Sequence, residues 1–506
     1  MRQRLLCLES LGERMFEERK DRRPRVVVIG GGITGLAAAH RLIELSASCE
    51  YAFEILLLEG EGRVGGIVHT HRRDEFLLEG GPDSFISEKP AAVELARRIG
   101  LDKHLIHTEA RNRRSFVVRE GRLCPVPQGF QLLSPSRLRP FLASEIFSWM
   151  GKARIALDLV LPRRKSDSED ESLAAFVRRR FGREALERMA QPMVGGIYTA
   201  DPERLSLRAT MPRFLEMERR ERSLILAMRR ANRQNQAEEA NGTSGARYSL
   251  FLSFDEGIET LTRALVARLP HEAIRLHTKV RLLLRHRSSN DGATQWKIIT
   301  EAGETIEADA VCVALPAHAA AHLLRDVDER LTANLNSITH ASTATINLAF
   351  RRADVPHPLD GFGFVTPAIE RLSTLACTFS SVKFANRAPQ DYVLLRLFVG
   401  GALQPEMFRL DEEKMIEAVR GDLRTLLRIE KPPLFSVVEK WTDSMPQYTL
   451  GHIERIAALR AHLNDYPSLV LAGNYLDGAG IPDCIRSGEI AAEEMIGRMQ
   501  TERDAR

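Results

Sequence analysis

The sequence predicts an α/β fold in which a parallel-sheet domain is assembled from both ends of the chain. Residues 26–29 are a run of β-branched side chains, and a glycine-rich turn and an alanine-rich helix follow them. A second apolar strand, 53–58, ends at Glu59, and a third, 468–473, precedes a glycine-bearing loop. Continuous apolar strands of this kind are typical of a sheet that helices cover on both faces.

The turn after the first strand contains the pattern G-x-G-x-x-G, which is formed by Gly30, Gly31, Gly32, Ile33, Thr34 and Gly35. Glycines allow a backbone to approach a pyrophosphate, and the N-terminus of the following helix stabilises the charge of that group. The preceding strand, the following helix and an acid at the end of the second strand are the context that the pattern requires. Because Glu59 would accept hydrogen bonds from ribose hydroxyls, the pattern favours NAD or FAD over NADP.

A second glycine pair follows the second strand, in the segment formed by Arg63, Val64, Gly65 and Gly66. This segment resembles the R-x-G-G element of the FAD-dependent amine oxidase and phytoene desaturase superfamily. Its two glycines would let another loop pass close to the cofactor, which a plain NAD dehydrogenase does not need. The resemblance therefore implies FAD as the cofactor.

The third strand leads into the loop 474–480, and residues 485–499 are predicted to be helical. A helix N-terminus at this place would stabilise negative charge on the reduced flavin ring. Many members of the superfamily have an acid directly after this strand, whereas this chain has Asn474. The FAD-binding domain is therefore predicted to be Rossmann-like and split along the chain.

Four further stretches together resemble the porphyrinogen oxidases of haem synthesis. They are residues 79–85 (E-G-G-P-D-S-F), 195–206 (G-G-I-Y-T-A-D-P-E-R-L-S), 445–448 (M-P-Q-Y) and 478–485 (G-A-G-I-P-D-C-I). The resemblance extends from about residue 25 to about residue 499 and is more specific than the dinucleotide pattern. It is strongest to the Gram-positive type, because eukaryotic members place a propionate-binding arginine where this chain has Ser115.

The resemblance implies three structural parts. We expect an FAD-binding domain from 1–82, 250–300 and 442–506, and an α+β substrate domain from 83–113, 226–249 and 301–441. A helical insertion, similar to the membrane-docking part of some relatives, is expected at 114–225.

The implied activity is an oxygen-using, six-electron oxidation of coproporphyrinogen III to coproporphyrin III with release of hydrogen peroxide. Two alternatives stay open, namely oxidation of protoporphyrinogen IX to protoporphyrin IX, and a flavoprotein that binds porphyrin without catalysis. An amine oxidase is a third reading, for which Tyr475 could supply an aromatic side chain facing the flavin. The partners implied are a tetrapyrrole substrate, molecular oxygen and a haem-pathway enzyme such as ferrochelatase.

The resemblance also implies two groups of candidate site residues, and it identifies no catalytic side chain. Cations and a loop at the rim of a flat apolar slot would bind the substrate, namely Lys89, Arg113, Arg114, Ile197 and Tyr198. The cofactor is expected to contact the three glycine turns together with Glu59, Gly81, Pro82, Asp83, Ser84, Val280, Trp441, Gly480, Ile481 and Pro482.

Composition excludes several classes of protein. The 506 residues contain 72 Lys and Arg against 68 Asp and Glu, a formal net charge of +4. Residues 1–25 contribute +3 of this, so the remainder is nearly neutral and a nucleic-acid-binding face is not expected. The six cysteines form no C-x-x-C pair, which argues against a disulfide framework or structural zinc and favours the cytoplasm. No apolar run is long enough to cross a bilayer, so membrane contact is expected to be peripheral at most.

Two histidine pairs were considered as metal ligands. His318 and His322 have the i, i+4 spacing of helical ligands but no acid between them, so we interpret them as surface residues. His69 and His71 alternate along a predicted strand and are expected to share one face. No metal site is predicted from either pair.

Overall fold

The structure, a computed structural model, describes residues 23–48, 53–131, 134–164, 169–240, 251–287 and 294–504. Residues 1–22 and part of the predicted segment 226–249 lie outside these residues. Within the described part of the chain, no helix has both the length and the apolar character needed to cross a bilayer.

The strands, numbered in chain order, are β1 (Arg25–Ile29), β2 (Glu54–Leu58), β3 (Thr70–Arg73), β4 (Phe76–Glu79), β5 (Phe85–Ile86), β6 (Leu105–His107), β7 (Phe116–Arg119), β8 (Arg122–Pro125), β9 (Phe130–Gln131), β10 (Ser134–Pro135), β11 (Phe251–Phe254), β12 (Ile274–Arg275), β13 (Val280–Arg287), β14 (Thr294–Thr300), β15 (Thr305–Ala308), β16 (Ala310–Val313), β17 (His340–Arg351), β18 (Gly363–Val365), β19 (Ala376–Phe379), β20 (Tyr392–Gly400), β21 (Phe435–Pro446) and β22 (Leu469–Leu471).

The helices are α1 (Ile33–Ser48), α2 (Ala91–Arg98), α3 (Leu138–Ala143), α4 (Trp149–Ala156), α5 (Leu173–Phe181), α6 (Arg183–Ala185), α7 (Gln191–Tyr198), α8 (Leu207–Thr210), α9 (Pro212–Glu221), α10 (Leu224–Ala240), α11 (Thr260–Val266), α12 (Ala317–Leu324), α13 (Glu329–Asn336), α14 (Ser380–Lys383), α15 (Pro405–Arg409), α16 (Glu412–Leu427), α17 (His452–Leu463) and α18 (Ile481–Asp504).

A five-stranded parallel sheet forms the centre of the first domain, in the order β12-β2-β1-β16-β22. In β1, Val27 pairs with Leu56 on one side and with Val311 on the other. The valines of β1 are fully buried, as an apolar strand covered on both faces requires. Helices α1 and α18 pack against each other beside this sheet. The predicted α/β fold with a split parallel domain is therefore confirmed.

The predicted domain boundaries differ from the observed strand pairing and helix packing in several segments. Strand β16 lies in the parallel sheet, although the prediction places 301–441 in the substrate domain. Strands β7 and β8 pair within the substrate-domain sheet, although the prediction places them in the helical insertion. Strand β11, predicted in the FAD domain, pairs with β5 and β6, which are predicted in the substrate domain. Helix α10 packs on the insertion through Met228, although the prediction places 226–249 in the substrate domain. Sequence continuity cannot show which sheet a short strand joins, because pairing partners are far apart in the chain.

The second domain is built on a mixed seven-stranded sheet, in the order β21-β17-β20-β19-β18-β7-β8. Its long strands β17, β20 and β21 are antiparallel, and helix α16 covers one of its faces. The hairpin β3–β4 from the first part of the chain packs on the other side, through a small apolar cluster that contains Phe76, Leu78, Ala349 and Leu394. This contact brings the segment that follows β4 directly onto the second domain.

A helical layer formed by α3 to α10 is attached to the second domain. Its core is apolar, with Phe176, Phe181 and Phe214 almost fully buried. Arg180 is also fully buried in this layer, and its guanidinium donates to the carboxylate of Asp158. A buried charge is tolerated where it is paired and hydrogen-bonded, as it is here.

Candidate functional site

The first glycine turn is shaped for a close approach of its own backbone and of a ligand. Gly30 has a φ of 106°, and a Cβ at this residue would lie 2.5 Å from the carbonyl oxygen of Ala314. A Cβ at Gly35 would overlap the carbonyl oxygen of Gly30. At Gly32, by contrast, nothing lies within 4 Å of the Cβ position. The turn is therefore closed toward the sheet and open at Gly32, beside the N-terminus of α1.

The carboxylate of Glu59 closes the other side of this turn. It accepts hydrogen bonds from the backbone amide of Gly31, at 2.7 Å, and from that of Glu61, at 2.9 Å. The side chain is partly exposed, so a carboxylate oxygen retains room for a further donor. Val280 begins β13 close to this acid, because the amide of Thr278 donates to the Glu59 carbonyl oxygen at 2.7 Å.

The second glycine turn contacts the first. The amide of Gly65 donates to the carbonyl oxygen of Gly31 at 2.8 Å, and Gly32 and Gly65 form an isolated parallel bridge. Arg63 stiffens the second turn, because its guanidinium donates to the carbonyl oxygens of Gly66, at 2.6 Å, and Val68, at 3.2 Å. The two turns therefore form one continuous backbone cradle.

The loop at residues 79–82 lies against the segment that follows the second glycine turn, and side chains of the second domain hold it. The indole nitrogen of Trp441 donates to the carbonyl oxygen of Gly80 at 2.9 Å, and the hydroxyl of Thr345 donates to the same oxygen. The amide of Asn347 donates to the carbonyl oxygen of Glu79 at 3.1 Å. Trp441 therefore contacts the loop that was predicted to meet the cofactor.

Asp83, directly after this loop, is the centre of a buried charge cluster. Its carboxylate pairs with the Lys383 ammonium at 2.9 Å and with the Arg396 guanidinium at 3.6 Å, and it accepts from the Ser84 hydroxyl at 2.7 Å. Burial alone would raise the pKa of Asp83, but the two cations hold that pKa well below its usual range. Arg396 also donates to the carbonyl oxygen of Gly81. The loop is therefore anchored by ionic contacts as well as by neutral hydrogen bonds.

Helix α18 begins at Ile481, immediately after Gly480 and four residues before the predicted start at residue 485. Both Ile481 and Pro482 are buried. The Lys89 ammonium pairs with both carboxylate oxygens of Asp483, at 2.6 and 2.7 Å, in the first turn of the helix. About half of the Lys89 side chain, 46%, is exposed, so this cation is fixed at one side and open at the other.

Tyr198 belongs to the same neighbourhood. Burial raises the pKa of Tyr198 to about 12, and the nearby charge of Asp483 adds to the rise. Its hydroxyl donates to the carbonyl oxygen of Thr210 at 3.4 Å, and its ring is an edge-on neighbour of Tyr448, with centroids 6.2 Å apart. The adjacent Ile197 is 51% exposed. A cation, a protonated phenol and an exposed apolar side chain are thus brought toward the start of α18.

The remaining two predicted rim cations lie elsewhere. Arg113 and Arg114 are exposed, and the guanidinium of Arg114 pairs with Asp360 at 2.9 Å. The carbonyl oxygen of Arg114 accepts from the amide of Phe362, which places the residue beside β7 and β18. Substrate contact by these arginines stays a prediction.

Sequence reasoning missed the buried cations of the second domain. Lys383, Arg387 and Arg396 are all nearly inaccessible, yet none belongs to a recognisable motif. One signal was present for Arg396, because it is the single charge in the apolar strand β20. A charge in such a strand must find a partner inside the protein.

The open cradle at Gly32, the carboxylate of Glu59 and the two helix N-termini fit an adenine dinucleotide. The cradle provides space where a pyrophosphate would lie, and the acid provides the acceptor for a ribose. The thiol of Cys484 lies near, but burial raises the pKa of Cys484 to about 12. It therefore stays a thiol and is not suited to hold a cofactor covalently.

Comparison with known proteins agrees with this geometry. The sequence model of the family described as flavin containing amine oxidoreductase matches residues 33–496. The chain is 34% identical to a coproporphyrinogen III oxidase of Bacillus subtilis, over 94% of this chain and 98% of the relative. It is 36% identical to a coproporphyrinogen III oxidase of Propionibacterium freudenreichii, over 93% of this chain and 90% of the relative.

More distant relatives are similar over the same length. A chloroplastic protoporphyrinogen oxidase of Nicotiana tabacum is 28% identical, over 93% of this chain and 85% of the relative. Among solved structures, a protein from Exiguobacterium sp. 255-15 assigned as a protoporphyrinogen oxidase superposes with a TM-score of 0.81 at 30% identity. That superposition covers 94% of this chain and 99% of the other.

Proposed function

Because the chain belongs to the porphyrinogen oxidases within the flavin containing amine oxidoreductase family, we propose that it oxidises coproporphyrinogen III to coproporphyrin III. The flavin predicted from the glycine turns is confirmed by this membership, and the cofactor is FAD. A porphyrinogen loses six electrons and six protons when it becomes a porphyrin. With oxygen as the acceptor, three molecules of oxygen become three molecules of hydrogen peroxide, which balances the electrons and the protons.

The protein's own groups bind and orient in this reaction. FAD supplies the acceptor for two electrons at a time when it is bound. Gly32 and Glu59 would receive its pyrophosphate and ribose, and the α18 N-terminus would stabilise negative charge on its ring. The Lys89 ammonium would meet a substrate propionate, with its pair to Asp483 keeping it in place. Tyr198 stays protonated at neutral pH, and because its hydroxyl donates to the carbonyl oxygen of Thr210, its ring would pack on the substrate.

The preference for coproporphyrinogen III rests mainly on one observation. The two bacterial relatives named for that substrate are 34% and 36% identical, whereas the chloroplastic relative named for protoporphyrinogen is 28% identical. The geometry adds Lys89, whose exposed half can reach an anionic substituent. Protoporphyrinogen IX has two fewer propionates, so fewer cations at the rim of the site could pair with it.

The amine oxidase alternative required an aromatic side chain facing the flavin, and Tyr475 was the candidate. Tyr475 is fully buried in the core that packs on the parallel sheet, and burial raises its pKa well above 10. A side chain in that position supplies no aromatic face to a ligand. The geometry therefore favours oxidation of a porphyrinogen.

A direct comparison of substrates tests the proposal. Both porphyrinogens are prepared anaerobically, and porphyrin fluorescence and peroxide are followed after oxygen is admitted. We expect kcat/KM to be roughly tenfold higher for coproporphyrinogen III than for protoporphyrinogen IX, because one additional charged contact has about this effect. Equal or reversed values would assign protoporphyrinogen IX instead. A yellow protein that forms no fluorescent porphyrin from either would indicate the non-enzymatic flavoprotein.

We also propose the setting in which this activity operates. A porphyrin needs iron to become a haem precursor, so a metal-inserting enzyme such as ferrochelatase would receive the product. The described cysteines Cys124, Cys312, Cys377 and Cys484 are free and buried, which is consistent with the reducing cytoplasm.

Peripheral membrane contact would use the helical layer. Trp149, Met150 and Val160 are 74%, 83% and 67% exposed. Exposed large apolar side chains of this kind are suited to the interface of a bilayer. Co-sedimentation with phosphatidylglycerol vesicles that is unchanged in a Trp149→Ala, Met150→Ala variant would exclude this patch.

A further inference from the structure

Two histidines and a glutamate converge where the hairpin β3–β4 meets the second domain. His69 precedes β3, His71 lies within it, and Glu439 lies in β21. The His71 Nε2 atom is 2.5 Å from Glu439 Oε1, and the His69 Nδ1 atom is 3.7 Å from the same oxygen. One ligand atom from each residue lies within 4.8 Å of the other two. Among the described residues, no other group of three His, Cys, Asp or Glu side chains is this compact.

We propose that His69, His71 and Glu439 bind a divalent transition-metal ion of the zinc class. Two imidazoles and one carboxylate are a ligand set that zinc accepts, with a fourth position left for water. Tetrahedral bonds of about 2.0–2.1 Å place ligand atoms roughly 3.3 Å apart, so a small rotation of each side chain is sufficient. The imidazoles exclude Mg²⁺ and Ca²⁺, which prefer all-oxygen shells.

Burial and exposure suit an ion that enters from solvent. The side chains of His69, His71 and Glu439 are 23%, 29% and 22% exposed, so each is partly shielded and still reachable. The two imidazole centroids are only 3.8 Å apart, so the rings already lie together before any ion binds. Little side-chain entropy therefore has to be lost on binding.

Besides Glu439, the charged side chains near His69 are Arg63 and Glu259. The carboxylate of Glu259 accepts a hydrogen bond from the amide of Thr70 at 2.7 Å. The guanidinium of Arg63 is committed to backbone carbonyl oxygens of its own turn, so it does not occupy the ligand space.

The position of the site gives the ion a mechanical effect. The carbonyl oxygen of His69 accepts the amide of Gly80 at 2.9 Å, and the side chain of Glu439 packs against Gly80. An ion held by β3 and β21 would therefore fix the hairpin of the first domain to the sheet of the second. It would do so beside the loop that Trp441 and Thr345 already hold.

Zinc binding is measured on tag-free holoenzyme, stripped of metal with a chelator and then titrated with Zn²⁺ against a competing fluorescent chelator. His71→Ala and Glu439→Gln remove one ligand each. His104→Ala is the matched control, because His104 also pairs with a carboxylate, that of Asp255 at 3.0 Å, but belongs to no group of three. We expect one Zn²⁺ per chain in the wild type and the control, and an affinity at least tenfold lower in the two ligand variants.

Two results overturn the site. The first is a wild type that binds Zn²⁺ no tighter than about 100 μM, and the second is equal affinity in all four proteins. Flavin absorbance shows whether each variant retains its fold. If both ligand variants lose flavin, X-ray absorption at the zinc edge is measured on the wild type instead. Two imidazole ligands around the zinc would support the site, and an all-oxygen shell would refute it.

Discussion

At the residue scale, two glutamates of the first domain have opposite tasks. Glu59 is partly exposed, and its carboxylate accepts two backbone amides with room for another donor. Glu79 is 4% exposed and is enclosed between the hairpin and the start of α11. Burial raises the pKa of Glu79 to about 7, against the hydrogen bonds from Thr70 and Ile258. The same functional group is therefore a partly exposed acceptor at one position and a buried proton-binding group at the other.

Replacing Glu59 by alanine should weaken FAD binding. Because hydrogen bonds to a charged group contribute about 1.5–3 kcal/mol, we expect the FAD dissociation constant of the apoprotein to rise roughly ten- to hundredfold. Flavin titration followed by fluorescence quenching measures it. Glu54→Ala is the control, since Glu54 begins the strand that leads to Glu59 and its carboxylate pairs with the partly exposed Arg25. An unchanged constant in Glu59→Ala would remove the ribose contact from the site.

Replacing Lys89 by methionine should weaken substrate binding and leave cofactor binding unchanged. We expect KM for the porphyrinogen to rise roughly three- to tenfold, a modest effect because the ammonium is half exposed. Lys89→Arg should retain most of the function, and Lys103→Met, at another exposed lysine, should have no effect. Steady-state kinetics with flavin content measured in parallel distinguishes these cases. Kinetics equal to wild type would exclude Lys89 as a substrate contact.

Local residue patterns could be predicted, and distant partners could not. The glycines at 30–35 and Glu59 were found because their function follows from strand, turn and helix within one short segment. Arg396 was missed because its partner Asp83 is reached only through the register of a sheet. Asp483 was predicted only as part of a stretch, and its pair with Lys89 depends on where α18 packs.

At the element scale, the contact between α1 and α18 positions both helix N-termini. Gly488 makes it possible, because a Cβ there would overlap the carbonyl oxygen of Thr34 and lie 3.0 Å from the amide of Ala38. Further along the same helix, Gly497 has nothing within 4 Å of its Cβ position. One glycine therefore permits close packing, whereas the other only lowers helix propensity.

Alanine at these two glycines should have opposite effects. Gly488→Ala forces the helices apart, and we expect the free energy of unfolding to fall by about 1–3 kcal/mol with earlier flavin release. Gly497→Ala should raise it by about 0.5–1 kcal/mol, because alanine favours the helix. Denaturant unfolding followed by circular dichroism and flavin fluorescence measures both. Equal stability of the two variants would show that the contact at Gly488 tolerates a side chain.

The order of strands in a sheet was less accessible from sequence than the strands themselves. Strand β16 is an apolar run, but its place between β1 and β22 does not follow from its sequence. Likewise β7 and β8 extend the second sheet at its edge, although they precede the helical layer in the chain. Hydrophobic periodicity indicates a strand, whereas neighbours depend on tertiary packing.

At the scale of the whole molecule, the two domains share one loop. The carbonyl oxygens of residues 79–81 come from the first domain, and their donors Asn347, Thr345, Trp441 and Arg396 come from the second. Separation of the domains would break these bonds together and expose a buried charge cluster. The molecule is therefore expected to unfold without an early separation of its domains.

The buried carboxyl of Glu79 should make global stability depend on pH. Its pKa rises from 4.5 to about 7 on folding, so the native state holds a proton that the unfolded chain has released between these values. Stability should therefore fall as pH rises through this window, by up to about 3 kcal/mol. Glu79→Gln should lack this part of the slope. Denaturant unfolding at pH 4.5 and 7 gives the free energy of unfolding of the wild type and of Glu79→Gln. The same change in this free energy between the two pH values in both proteins would contradict the prediction.

The parallel sheet also dictates when during synthesis the cofactor site can exist. Strand β1 and its glycine turn leave the ribosome early, but β22 and α18, which complete the sheet edge and the second helix terminus, are among the last described residues to be made. At ~5–20 residues per second the interval is on the order of a minute. A nascent chain would have to keep β1 from aggregating throughout that time, so cellular FAD loading and chaperone demand would follow translation speed.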